Sequence, residues 1–174
     1  WGVLKTTAVV WSGYQDVENK SLPEHLKPRG RLEVKRGDVL MTRAGPNSRV
    51  GVVAYVPETQ PKLMLSDKLY RLQNKDTVDP EYLVLAIASA WTQRHLSTLK
   101  TGLAESQTNI SQDIVRALLV KIPEPKEQAR IVSALRGIDR ELESERASNI
   151  KLQSLKTALM QDLLTGKVRV TPLL

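Results

Sequence analysis

The stretch whose reading decides the fold is residues 126–166, KEQARIVSALRGIDRELESERASNIKLQSLKTALMQDLLTG. From Ile131 its apolar residues recur at alternating steps of four and three: Ile131, Leu135, Ile138, Leu142, then Leu152, Leu159 and Leu163. The same register passes through Glu145, Asn149 and Lys156, so seven of its ten positions are apolar. Steps averaging 3.5 residues are the period of a coiled-coil seam, which needs a second helix to cover it. Thr165-Gly166 stops the pattern, because glycine tolerates the left-handed conformation that ends a helix. Counted from Lys126, about 40 residues give roughly 60 Å of helix at 1.5 Å per residue. A small globule needs no such strut for its own core, so the segment reads as a spacer or docking arm.

That assignment leaves residues 1–123 as a globular domain, long enough to bury a core, followed by a helical region over 124–174. Residues 3–11 mix β-branched side chains with Lys5, Thr6 and Thr7 and read as a strand, turned by Ser12-Gly13. Arg36-Gly37-Asp38 makes a tight turn before a strand over 39–42, and residues 43–49 form a polar loop containing Gly45 and Pro46. Residues 50–56 are another β-rich run, and 63–72 read as a strand pair. Asp79 is placed to cap a helix with Pro80 at its first position. That helix is expected to run to about Lys100, with Leu83, Ile87, Trp91 and His95 on its inner face. Residues 114–122 read as a last strand, which Pro123-Glu124-Pro125 breaks before the long helix. Strands first, a helix late, more strand and then a strut define an α+β chain with a mixed or antiparallel sheet.

Composition narrows the functional classes. Apolar residues make up 41% of the chain, too many for a disordered segment. There are no cysteines, which removes disulfides, thiolate metal sites and cysteine nucleophiles together; a reducing cytoplasm is the expected compartment. The longest apolar run, residues 82–91, is too short to cross a bilayer, so no membrane partner is expected. The net charge is +7, and seven of the basic residues lie between Lys27 and Arg49 against only Glu33 and Asp38. A polyanion could use that local field, and a solvated basic surface would have the same composition.

A search for catalytic constellations returns little. His25 and His95 have no metal-ligand spacing to each other, so no metal or cofactor is expected. Asp79-Pro80-Glu81-Tyr82 approaches the Asp/Asn-Pro-Pro-Tyr/Phe loop of adenine methyltransferases, but Glu81 stands where the second proline belongs. Thr165-Gly166-Lys167 follows a helix where a phosphate loop would follow a strand. Two polar segments carry nucleic-acid chemistry instead. In the first, Arg43, Gly45, Asn47, Ser48 and Arg49 combine guanine- and adenine-reading side chains with a glycine that lets backbone approach phosphate; the same residues also make a good β-turn. In the second, Lys100, Thr101, Gln107 and Asn109 lie in a run that, taken alone, reads more readily as a helix-to-strand linker.

Three stretches taken together shift that balance. They are Gly37-Asp38-Val39-Leu40-Met41-Thr42-Arg43-Ala44-Gly45 with Arg49-Val50-Gly51; then Gly102 with Gln107-Thr108-Asn109-Ile110-Ser111 and Ile122-Pro123-Glu124-Pro125; and last Glu127-Gln128-Ala129-Arg130-Ile131-Val132 running through Leu163-Leu164-Thr165-Gly166-Lys167-Val168-Arg169-Val170. In this order and spacing the chain resembles the specificity subunit of type I restriction–modification systems, over essentially its whole length. The resemblance implies a target recognition domain that binds one half of a bipartite double-stranded DNA site. It also implies a long helix that docks the modification (methyltransferase) subunit, with the restriction subunit joining through the complex. The family member itself is not an enzyme.

A full family member carries two recognition domains and two such helices, whereas residues 1–174 hold one of each. The chain is therefore expected to be half-length, with native sequence preceding Trp1, since its start is neither an initiator Met nor a signal peptide. Its seam, Ile131, Leu135, Ile138, Leu142, Leu152, Leu159 and Leu163, is expected to pair with a second copy, antiparallel and two-fold. Two other readings compete. One is an interaction subunit or decoy that captures methyltransferase subunits without reading DNA; the other is a nuclease or methyltransferase fragment.

Overall fold

The computed structural model describes residues 1–100 and 107–169. The chain divides into two compact units, Trp1–Ala129 and Arg130–Leu174.

The first unit is built around one strand buried on both faces. The strand Val39–Thr42 is the fifth in chain order; before it come β1 (Gly2–Leu4), β2 (Val9–Val10), β3 (Gly13–Tyr14) and β4 (Asn19–Ser21). All four residues of β5 (Val39–Thr42) are buried, so it is a continuous apolar run rather than an alternating one. Leu40 points into a cluster with Leu4, Val9, Ala54 and Leu63. Its neighbour Met41 points into a second cluster with Val53, Ile87, Leu96 and Ile110. Gly37, at φ +93°, supplies the turn that launches β5, and the Asp38 carboxylate accepts from the Lys35 amide at 2.9 Å. Arg71 closes the same corner by its 3.0 Å ion pair with Asp38.

Later elements pack around this strand. They are β6 (Ala44–Gly45), β7 (Val53–Tyr55), β8 (Leu63–Met64), β9 (Leu69–Leu72), α1 (Pro80–Ala88), α2 (Ala90–Leu99), β10 (Thr108–Asn109), α3 (Gln112–Arg116) and α4 (Pro125–Leu164). The sheet β7-β5-β9 is antiparallel. In the sheet β4-β1-β8, β1 runs antiparallel to β4 and parallel to β8. The small sheets β2-β3 and β10-β6 complete an α+β architecture with both mixed and antiparallel pairing.

Four local expectations give way. The strand expected over 3–11 is interrupted by a 3-10 turn at Thr6–Ala8, which buries Ala8 completely and lets the Thr7 hydroxyl donate to Glu18. The expected pair within 63–72 exists as two strands, but β8 pairs with β1 and β9 with β5. The helix expected over 80–100 breaks at Ser89, whose ψ of 145° is extended; its hydroxyl donates to the Ala86 carbonyl at 2.8 Å and caps α2 at the Thr92 amide. The break turns α2, so Thr92 and Leu96 are buried while Trp91 is 40% exposed. Residues 114–122 form no strand. Ser111 caps α3 by accepting from the Ile114 amide at 3.3 Å, and Ile114 and Val115 pack on the second cluster as helical residues.

At the start of α4, Gln128 lies within the first unit at 1% exposure. Its amide accepts from the Asp79 N–H at 2.8 Å and donates to the carbonyls of Pro123 at 2.8 Å and Thr77 at 3.1 Å. Asp79 caps α1 by accepting from the amides of Glu81 and Tyr82.

In the second unit α4 continues to Leu164 and stops where expected, with Gly166 at φ +72°. The Val168 amide returns to the Asp162 carbonyl at 3.1 Å, and Lys167 pairs with the Asp162 carboxylate. Leu135, Ile138, Leu142, Leu152 and Leu159 are all exposed, Leu152 at 66%, and Ile131 and Leu163 are half-buried. Among the described residues nothing covers this apolar edge.

Candidate nucleic-acid interface

The two polar segments singled out in the sequence lie some sixty residues apart, and the fold joins them. β6, inside the expected loop 43–49, pairs antiparallel with β10, so Gly45 faces Thr108 and Ala44 faces Asn109. Gly45 adopts φ +144°, a conformation that side chains rarely take. The loop that follows is closed by Thr42, whose buried hydroxyl donates to the Arg49 carbonyl at 2.5 Å and accepts from the Val52 amide at 3.0 Å. The result is a fixed loop held at the end of a buried strand.

The basic residues divide into two groups. Lys27, Arg29, Arg31, Lys35 and Arg36 are exposed. Arg43 and Arg49, the two singled out as readers, are half-buried and engaged within the protein. Arg43 Nη2 donates to Asn109 Oδ1 at 2.8 Å and Nη1 to the Asp67 carbonyl at 3.3 Å, and its guanidinium lies 5.0 Å from the Tyr70 ring centre. Arg49 Nη2 donates to the Thr6 carbonyl at 3.3 Å. Lys100 Nζ reaches the carbonyls of Val50 at 3.1 Å and Asn47 at 3.4 Å, and burial pushes its ammonium below the ordinary lysine value.

A family profile described as the type I restriction modification DNA specificity domain matches residues 6–153. The chain belongs to that family. It is 43% identical over 136 residues to the type I restriction enzyme EcoEI specificity subunit of Escherichia coli, covering 78% of this chain and 23% of that protein. It is 25% identical over 154 residues to the MjaVIII specificity subunit of Methanocaldococcus jannaschii, covering 86% of this chain and 35% of that one. Two solved structures share the fold. The HsdS subunit from Thermoanaerobacter tengcongensis matches 92% of this chain and 41% of its own length, with a TM-score of 0.64 and 21% identity. A chain from a type I R-M system studied for its assembly and conformational transition matches 97% and 43%, with a TM-score of 0.66 and 19% identity. The chain thus spans less than half the length of each of these proteins.

Within this specificity domain the remaining site residues fall on or beside the β6–β10 face. Ser48 and Gln107 are exposed. Asn47 Oδ1 is buried with no hydrogen-bond partner among the described residues, and it lines an open cleft of about 530 Å³. Thr101 lies outside the described residues. Two residues of the site were missed by sequence reasoning. Tyr70, beneath Arg43, carries no local signal in a strand-like run. Trp11 borders the cleft at 53% exposure; its position just before Ser12-Gly13 puts it at a hairpin tip, where a large apolar side chain stays exposed. Among the described residues no His, Asp and Glu side chains gather to hold a metal, and no helix is long and apolar enough to cross a membrane.

Proposed function

We propose that this chain is the DNA-reading component of a type I restriction–modification complex, binding one half of a bipartite double-stranded site. The observation that carries the reading is the β6–β10 pairing, which gathers two polar segments on one edge of a specificity-family domain. Arg43, Asn47, Ser48, Gln107 and Asn109 supply the side chains of that edge, and Gly45 lets the backbone approach a phosphate. Arg49 and Lys100 act from behind it, as struts that hold the loop. The chain performs no chemistry itself. It works in the cytoplasm, where α4 docks a methyltransferase subunit and, through that complex, a restriction subunit.

The exposed seam of α4 supports pairing with a second copy, antiparallel and two-fold, so that two recognition domains read two half-sites at a spacing fixed by the helix pair. The test is an affinity pull-down of the tagged chain from its native lysate, followed by mass spectrometry and light scattering. The expected result is an adenine methyltransferase subunit at equal stoichiometry, with two copies of this chain per complex. A complex without methyltransferase contradicts the docking role; a complex with one copy contradicts the dimer.

A second reading is favoured by one observation: Arg43, Arg49 and Lys100 spend donors inside the protein. On that reading the chain captures methyltransferase subunits and holds DNA without reading it. Salt-sensitive binding with no sequence preference would select it.

A further inference from the structure

The proposal that Arg43 reads a base leaves open which of its five N–H donors does so, and what aims them. Three facts narrow the choice. Nε is closed off from solvent and has no hydrogen-bond partner among the described residues. Nη1 gives one bond to the Asp67 carbonyl and Nη2 gives one to Asn109 Oδ1. The guanidinium carbon lies over the Tyr70 ring, 5.0 Å from its centre. The side-on pair, Nε with a terminal nitrogen, is therefore shut. Each terminal nitrogen has two N–H groups, so Nη1 and Nη2 each keep one, and an end-on contact draws one donor from each. Two parallel donors of this kind match the O6 and N7 acceptors of guanine in the major groove.

The groups that hold this pose come from two different strands and are tied to each other. Tyr70 stands on β9, and its hydroxyl donates to the Ile110 carbonyl at 3.1 Å. Asn109 stands on β10, and the Ile110 amide beside it donates back to the Arg43 carbonyl at 2.9 Å. The Arg43 amide is itself bonded to the Lys68 carbonyl at 2.9 Å, just before β9. Backbone and side chain of Arg43 are thus both fixed between the same two strands. A free arginine would lose several rotatable bonds on binding, and one already clamped loses few of them.

We propose that Tyr70 and Asn109 are positioning residues for Arg43, clamping its guanidinium so that it reads a guanine end-on through Nη1 and Nη2. Asn109 then acts through Arg43, and Tyr70 sets specificity without touching DNA. This rests on the DNA-reading function proposed above.

The experiment is competition binding by the full chain, in the complex it forms, against duplexes in which each base pair of its preferred site is replaced in turn. R43A should abolish the preference at one G·C pair, a loss on the order of ten- to a hundred-fold. N109A and Y70L should lower the preference at that same pair by roughly three-fold or more and leave the other positions unchanged. Y70F keeps the ring under Arg43 and should stay within about two-fold of the parent. A uniform loss across all positions in N109A and Y70L, or a loss at a different pair, overturns the clamp and leaves the DNA-reading function standing. If R43A itself weakens every duplex equally and lowers the salt slope by about one, Arg43 is a phosphate contact and the inference falls with it.

Discussion

At the scale of single residues, the chain keeps some polar and glycine positions for reasons that packing makes plain. Gln128 is the clearest: one buried amide satisfies an N–H and two carbonyls where three segments of the first unit meet. Each group it would abandon costs about 1–3 kcal/mol when buried and unpaired, so Q128A should destabilise the first unit by about 2–4 kcal/mol, read from the urea midpoint at constant slope. Glycines give a contrast of sign. Gly51 sits at φ +93°, and a Cβ there would stand 2.2 Å from the Leu96 side chain, which is fully buried and has nowhere to go. G51A should cost about 2 kcal/mol or more. Gly137 lies inside α4 with nothing within 4 Å of a built Cβ, so G137A should gain about 1 kcal/mol of helix stability, read as a higher melting temperature by circular dichroism. Glu18 adds a pH signature: the Thr7 hydroxyl, and then Lys5, hold its carboxyl below the ordinary glutamate value. Its contribution is present above the unfolded carboxylate range and is lost as the pH falls through the lowered folded value. T7V should flatten that acid limb of the stability profile.

At the scale of elements, what could be read in advance follows from how local each cause is. α4 was legible almost from end to end because its period, the proline break before Lys126 and its terminal glycine are all local in sequence; it starts one residue earlier, at Pro125. The Asp79-Pro80 start of α1 and the turn at Gly37 were legible for the same reason. Residues 114–122 were misread as a strand because the β-branched Ile114 and Val115 pack against a core of strand and helix residues contributed from far along the chain, and Ser111 caps them into a turn of helix. The break at Ser89 is a cap inside an apolar run, and only the packing of Leu96 on Gly51 shows why α2 must turn there. Site chemistry behaved the same way. The residue types of the Arg43–Arg49 loop were visible, whereas the β6–β10 pairing that joins them to Asn109, and the Tyr70 ring beneath Arg43, depend on contacts across many residues. For α4 the element-scale prediction concerns its seam. Replacing Leu142 and Leu152 with lysine removes two large apolar side chains from each helix of the proposed pair. Each is worth about 1.5–3 kcal/mol when covered, so with four lost per dimer sedimentation should show it weakened by roughly ten-thousand-fold or more. An unchanged mass would place the interface elsewhere.

At the scale of the whole molecule, attraction to DNA and the reading of its sequence have separate sources. A net charge of +7, with Lys27, Arg29, Arg31, Lys35 and Arg36 exposed, supplies a field for a polyanion without sequence information. On the proposed function, reading falls to the few donors on the β6–β10 edge, whose aim would depend on the buried strand β5 and the proposed clamp around Arg43. These two contributions respond differently to salt and to base changes, and that difference defines the decisive measurement: selection of a randomised duplex pool by the full chain in its native complex, at physiological salt, followed by sequencing. The expected result is enrichment of a defined half-site, repeated with two-fold symmetry at one fixed spacing. Retention of DNA with no enriched sequence would contradict it, and would leave a basic domain that holds DNA without reading it.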